Sequence, residues 1–487
     1  MNNHSIPEWI IYAILSVIAL LFLLLFSTST SPLYLHDGVD SIIYKTMGLA
    51  LLKGKTLYVD IFDHKGFILY LINAIGIGIT TERWGLFLIQ VLGMSMALMF
   101  LYKTARIFTS NRWAFISIII ALFFLIGVMG GGNLTEEWNL YLFCINLYIV
   151  CNYFKNNADA PFPIKSAFLL GILFGISFFI RPNDAVAQIG GALFGVILWR
   201  LKQKDSKNFF YTIGFFFVGF FSIASPILVY FASKNAVSDM LYGLIFFNQE
   251  YAGGLWEMLV SVFSHNKLSV LLVLITLCFL LYNNKGKIFL WVIVPICLLQ
   301  LILIGIRMFS HYLIVLMPFI SLIIAIASVH HNKLLKYIAI TILICNPFIN
   351  DRQIAIASAN ETIGNYYCYK NNNTFVPKYK NETEKLLNNV PEDKRDSIFN
   401  YNLEFEIRAL LINNIVQCNK ITFATNIKIA QSDQLSKTIP PYVIVWSESD
   451  CYKKDHYLNN HYEPIANTDS SVCKFILFKR IEYKFRQ

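Results

Sequence analysis

Ionisable residues of complementary types stand at a few points in an otherwise apolar chain. Asp37 and Asp40 follow an apolar run at 9–28, and a compact Asp63-His64-Lys65 group precedes renewed apolar sequence. Glu136 and Glu137 open a later apolar run, and Arg181, Arg307 and His311 each adjoin another. A carboxylate in such a place can take the proton of a hydroxyl. Lysine, arginine and histidine can meet negative charge on a departing oxyanion or phosphate. Plainer roles exist too: acids suit a helix N-terminus, and long cationic side chains snorkel to a membrane surface. The stretch "HDGVDSIIYKTMGLALLKGKTLYVDIFDHKG", His36–Gly66, holds four aspartates and four lysines. A simple connection between two membrane spans needs nothing like that density of charge.

The elements that must position these residues are helices in a bilayer. Of 487 residues 56% are hydrophobic and 14% charged, against about 25% charged in soluble domains. Eleven apolar runs, at roughly 9–28, 85–102, 113–130, 138–153, 165–180, 185–201, 209–231, 268–282, 288–305, 312–329 and 335–349, approach the ~20 residues of a spanning helix. The first has no basic segment before it and is too long for a cleavable signal peptide. One set of alternate loops carries Lys103, Arg106, Arg112, Lys155, Lys165, Arg200, Lys202, Lys204, Lys207, Lys285, Lys287, Lys333 and Lys336, with few acids. Cytoplasmic loops carry such an excess, which places the N-terminus inside. The first outer loop, 29–84, and everything after 349 are then outside. The formal charge of +10 becomes a topology signal, and nucleic-acid binding is excluded.

Residues 1–349 thus form a transmembrane domain and 350–487 a polar domain outside the membrane. In the tail "DSIFNY", "KITFAT", "YVIVWS" and "CKFILFK" have the β-branched and aromatic character of strands. "EFEIRALLINN" and "SDQLSKTI" have helical spacing. The alternation predicts a small α/β fold. Cys144, Cys151, Cys278, Cys297 and Cys345 lie in apolar runs, while Cys368, Cys418, Cys451 and Cys473 lie in the tail. An even number in an exported domain suggests disulfides. Of three possible pairings, Cys451 with Cys473 would join a strand end to the last strand. No spacing of cysteine and histidine indicates zinc.

Within the first outer loop, Asp40 is placed to cap a helix starting at Ser41, and Gly54 to end it. That helix has an apolar face and is expected to lie flat on the bilayer. "KTLYVDIF" reads as extended, and "DHKG" turns the chain back, so both ends of the loop return charge to membrane level.

The order Asp, Tyr, Gly-Lys, Tyr-Val-Asp and Phe-Asp-His-Lys-Gly resembles the first outer loop of the GT-C glycosyltransferases. These include protein O-mannosyltransferases and the lipid A aminoarabinose transferase. "GNLTEEW" (Gly132–Trp138), "RPND" (Arg181–Asp184) and "RMFSHYLIVLMPF" (Arg307–Phe319) fit the bacterial members. "PPYVIV" and the closing strand extend the resemblance more weakly into the tail. Relatives usually have proline after "DHKG", where this chain has Phe67. The resemblance implies a GT-C fold and inverting transfer of a sugar from a polyprenyl-phosphate donor to a glycan, lipid or protein hydroxyl. It makes Asp37 the general base and Lys65, Arg181, Arg307 and His311 the grip on the donor phosphate. Asp40, Asp63, His64 and Glu137 then assist catalysis or touch the acceptor, and Asn248, Gln249 and Glu250 are further acceptor contacts. Members of the family place a second acid in the loop of Glu137, sometimes at a metal, so a divalent ion would be held by Asp37 and Glu137. Abundant Asn, Lys and Ile point to an AT-rich genome and a bacterial inner membrane. A transporter or flippase would carry its ionisable residues near the midplane of its spans. An O-antigen polymerase or ligase would gather arginines in one large outer loop.

Overall fold

The computed structural model describes residues 7–34, 37–80, 83–252, 292–303, 310–329, 375–402, 406–420, 431–469 and 473–481. The apolar runs fold as helices: α1 Glu8–Phe26, α2 Val39–Leu52, α3 Phe67–Ile79, α4 Trp84–Arg106, α5 Asn111–Ile126, α6 Thr135–Asn156 and α7 Ile164–Phe178. There follow α8 Pro182–Lys202, which contains a π-helical turn, and α9 Ser206–Ser233, then α10 at 237–252, α11 Val294–Leu303 and α12 His311–Ser328. A helix satisfies its own backbone polar groups, which hydrocarbon requires of any spanning segment. Among the described residues five helices (α1, α4, α8, α9 and α12) are long and apolar enough to cross a membrane, and α3, α5 and α7 are shorter apolar helices. The chain is an integral membrane protein. Of the expected eleven spans, those at 268–282 and 335–349 lie outside the described residues.

Two helices show how composition sorts these segments. α9 turns Phe217, Val218, Phe221 and Val229 outward, an apolar surface suited to lipid. α6 has the length of a span but carries Glu136, Glu137, Asn139 and Asn146. It can do so because it runs through the middle of the bundle, with those four side chains buried.

The tail forms a four-stranded sheet of β1 Ile398–Asn400, β2 Tyr442–Trp446, β3 Tyr462–Asp469 and β4 Lys474–Arg480, in the order β1-β2-β4-β3. β1 and β2 are parallel, and β4 runs antiparallel to both β2 and β3. Strand alternation sends Tyr442, Ile444, Phe475 and Leu477 to one face. There they meet Leu386 and Leu387 of α13, Phe375–Leu387, and Leu410 of α14, Glu406–Ile412. Val443, Val445 and Phe478 go to the other face, against Leu435 of α15, Gln431–Thr438, and Leu458 in the short helix His456–His461. A small α/β domain is therefore present. "KITFAT" falls almost wholly outside the described residues. β3 was not expected from sequence: it holds Pro464, tolerated because β3 is an edge strand with a bulge between Pro464 and Ala466.

Several local expectations are corrected. α2 does not lie open on a bilayer surface: Ser41–Ala50 are buried, packed between α3 and α14. Asp40 is not its cap, because the N-cap is Gly38 and no side chain bonds there. Gly54 does end the helix, at φ +76°. "KTLYVDIF" is a tight turn rather than a strand, with Tyr58 at φ 69° and a bridge from Leu57 to Ile61. Cys451 and Cys473 are not joined in a disulfide. Cys473 is buried with Tyr379 and Phe475 on one face of the sheet, whereas Cys451 is exposed beside Tyr452, which packs on the other.

Candidate active site

The segment between α1 and α4 is drawn closed by charge. Asp37, just ahead of α2, forms an ion pair with Lys45 from within that helix and with Arg83, which precedes α4, at 3.2 Å. Arg83 also donates to the Thr28 carbonyl (2.7 Å), and Lys45 to that of Ser29 (2.6 Å). Arg408 of α14 donates to the Asp37 main-chain oxygen at 3.1 Å. Burial alone would raise the Asp37 carboxyl, but Arg83, Lys45 and Arg408 outweigh it and hold the pKa below the usual carboxylate range. Burial is also what lowers Lys45, to about 8, against the pull of Asp37.

The other end of the loop carries Asp63-His64-Lys65. Lys65 Nζ lies 2.7 Å from His64 Nε2 and must be the donor. His64 therefore carries its proton on Nδ1, which faces an Asp63 oxygen at 3.3 Å. Burial and Lys65 lower the His64 pKa, so the ring is neutral at pH 7. Burial works against ionised Asp63 too, but the His64 hydrogen bond, followed by Lys65 and the Tyr70 hydroxyl, holds it at about 2. The Tyr58 hydroxyl donates to the Lys65 carbonyl (2.7 Å), and Asn248 Nδ2 to that of His64 (2.8 Å). Asn248 thus supports the turn. Gln249 is exposed, and nothing is described of the Glu250 side chain.

Gly66 brings this turn to Arg181. Its N–H donates to the Ile180 carbonyl at 3.0 Å, and a Cβ at Gly66 would run into the Phe179 carbonyl. Only glycine allows that approach. Phe67, where relatives place proline, opens α3 and stacks on Tyr230. Arg181 pairs with Glu136 and approaches Asp184 at 3.5 Å, with its guanidinium 4.4 Å from the centre of the Tyr312 ring. Lys65 feels the charges of Arg181, Asp40 and Glu136, and Glu136 those of Arg181, His311 and Lys65. Burial lowers the Lys65 pKa against the pull of Asp63. Asp40, Asp63, His64, Lys65, Glu136, Arg181, Asp184 and His311 thus form one electrostatically linked group. Arg307 lies outside the described residues.

Glu137 does not join this group. It is fully buried, accepting from Gln90 Nε2 (2.6 Å), the Tyr141 hydroxyl (2.5 Å) and Asn133 N–H (2.8 Å). It anchors a loop in which Gly130, Gly131 and Gly132 all have positive φ, and a Cβ at Gly132 would run into Ser27. Asn133 ties the loop to Ser41 and Asn73. It is the neighbouring Glu136 that pairs with Arg181. A metal between Asp37 and Glu137 does not fit: Asp37 already faces two cations, and Glu137 is filled by three protein donors. Among the described residues no three His, Cys, Asp or Glu side chains are placed so that they could hold a metal ion. Sequence reasoning also missed Lys45, Arg83 and Arg408. Lys45 carried a signal, being a lysine in the interior of the apolar face of α2.

The helical bundle with its appended small sheet region has the GT-C fold. It is shared with ArnT from Cupriavidus metallidurans bound to undecaprenyl phosphate, at TM-score 0.59 and 10% identity, over 98% of this chain and 99% of that one. ArnT in the apo state matches at TM-score 0.59 and 10% identity, over 97% and 98%. The Archaeoglobus fulgidus oligosaccharyltransferase tethered with an acceptor peptide gives 0.49 and 11%, over 98% and 74%. No curated protein matches by sequence. Residues 10–336 match the model of the competence-induced protein Ccs4 N-terminal domain, and the chain belongs to that family.

Proposed function

We propose that the chain is an inverting glycosyltransferase that moves a sugar from a polyprenyl-phosphate-linked donor to a hydroxyl acceptor on the extracytoplasmic side of a bacterial cell membrane. The observation that carries this reading is that the Gly66–Ile180 hydrogen bond joins the segments of Lys65 and Arg181, two half-buried cations, so that the charges of Arg181, Asp40 and Glu136 act on Lys65. That is the equipment for a substrate with an anionic leaving group beside a membrane. The solved ArnT structure holding undecaprenyl phosphate agrees with a lipid-linked donor.

In this reading the acceptor hydroxyl gives its proton to Asp37 as its oxygen bonds to the anomeric carbon. The bond from that carbon to the phosphate oxygen breaks with inversion, and its electron pair leaves on the phosphate. Lys65 and Arg181 meet the charge that grows there, with Arg307 and His311 as further contacts. Asp63 and His64 hold the Lys65 ammonium in place. The acceptor is a glycan, lipid or protein hydroxyl. The basic loops at the opposite end of the bundle support a cytoplasmic N-terminus.

The test uses purified full-length protein with polyprenyl-phosphate sugars and an acceptor extract, following free polyprenyl phosphate. Release that depends on acceptor and is abolished in Lys65→Ala is the expected result. Consumption of a nucleotide sugar instead, or release unchanged in Lys65→Ala, would overturn the reading.

A further inference from the structure

We infer that the C-terminal domain is a clamp on the first outer loop, and that its Arg408 is a positioning residue for Asp37. This rests on the transferase reading for its catalytic consequence, but the clamp itself stands on contacts. The domain grips the loop at three places. Ahead of α2, Arg408 donates to the Asp37 main-chain oxygen at 3.1 Å. Just past α2, Lys53 bonds both Asp396 oxygens at 2.8 and 2.9 Å, and Lys55 donates to the Gln417 carbonyl at 3.2 Å. One residue before Asp63, the Phe62 N–H donates to the Lys420 carbonyl at 2.6 Å.

The gripping residues are themselves tied together. Asp396 also accepts from the Val416 N–H at 3.0 Å, and Ile407 and Val416 are buried in the core of the helical bundle. One small domain therefore holds both Asp37 and the turn carrying Asp63, His64 and Lys65, fixing the separation between the proton acceptor and the phosphate grip. Arg408 bonds the main chain of Asp37 and leaves its carboxylate to Lys45 and Arg83. It can set the position of the acid without blocking it. Its charge nevertheless acts on that carboxyl, together with Arg83 and Lys45. Small misplacements of a reacting group cost large factors in rate, so a clamp of this kind governs turnover more than donor binding.

The experiment compares full-length wild type, Arg408→Ala, Arg408→Lys and Asp396→Ala in lipid nanodiscs, with Glu448→Gln at an exposed pair with Lys474 as control. Donor turnover is measured against pH, and hydrogen–deuterium exchange is followed over 37–66. Arg408→Ala should lower kcat by about tenfold or more with donor KM changed by less than about threefold. Its acid limb should move to higher pH, because one cation near Asp37 is gone. Arg408→Lys should recover part of the rate. Exchange over 37–66 should quicken in Arg408→Ala and Asp396→Ala and stay unchanged in Glu448→Gln. Unchanged exchange in the first two variants overturns the clamp. Loss of rate without a moved acid limb or partial rescue by lysine overturns the positioning role. If wild type consumes no donor, the transferase reading fails while the exchange data still decide the clamp.

Discussion

The two ends of the segment between α1 and α3 are electrostatic opposites. At one end a single acid, Asp37, is ringed by the cations Lys45, Arg83 and Arg408. At the other the cations Lys65 and Arg181 sit among the acids Asp40, Asp63, Glu136 and Asp184. The first arrangement holds a carboxylate ionised and fixed. The second keeps two half-buried cations with their charge already balanced, so any arriving anion would have to displace or share acidic partners. A site so divided suits a reaction in which a proton is taken at one place and negative charge appears at another.

The division can be broken by substitution. The largest effect is expected at Asp37: Asp37→Asn should lower turnover by about a thousandfold, and Asp40→Asn by about tenfold. Equal losses would mean that the acid facing Lys65 does the proton work. Arg181→Ala leaves Glu136 and Asp184 buried without their cation. It should lower stability by about 3 kcal/mol, read by thermal unfolding in detergent. Asp63 titrates at about 2 in the folded chain, below its unfolded value of about 3.9. Its contribution of roughly 2 kcal/mol is therefore present above pH ~4 and lost as pH falls toward 2. An Asp63→Asn variant should be less stable than wild type at pH 7 and converge with it in acid. The smallest effect belongs to Glu137: Glu137→Gln should cost about 1 kcal/mol and leave turnover within about twofold. A collapse of turnover there would return Glu137 to the site.

The helical architecture was legible because long uncharged runs have few alternatives in lipid, as α1, α4 and α9 illustrate. α6 shows the limit of that signal, since its acids and amides are accommodated by burial among other helices, a relation between distant segments. The tail strands β1, β2 and β4 were legible from their β-branched and aromatic residues. β3 was not, because an edge strand can hold Pro464 and polar residues. In the site, Arg181 acts on Lys65 through its charge, and Asp37 is tied by partners from positions 45, 83 and 408. Pairing of that kind depends on tertiary contact and leaves little trace in local spacing. The same holds for Glu136 and Glu137: adjacent residues on a helix point about 100° apart, and sequence does not say which one pairs with Arg181.

The central claim is the separation of proton acceptance from phosphate grip. It is tested most directly by measuring donor affinity and single-turnover rate together in wild type, Asp37→Asn and Lys65→Ala. The account predicts that Asp37→Asn binds the polyprenyl-phosphate sugar as wild type does and barely turns it over, while Lys65→Ala loses affinity. Loss of donor binding in Asp37→Asn, with Lys65→Ala binding normally, would contradict it.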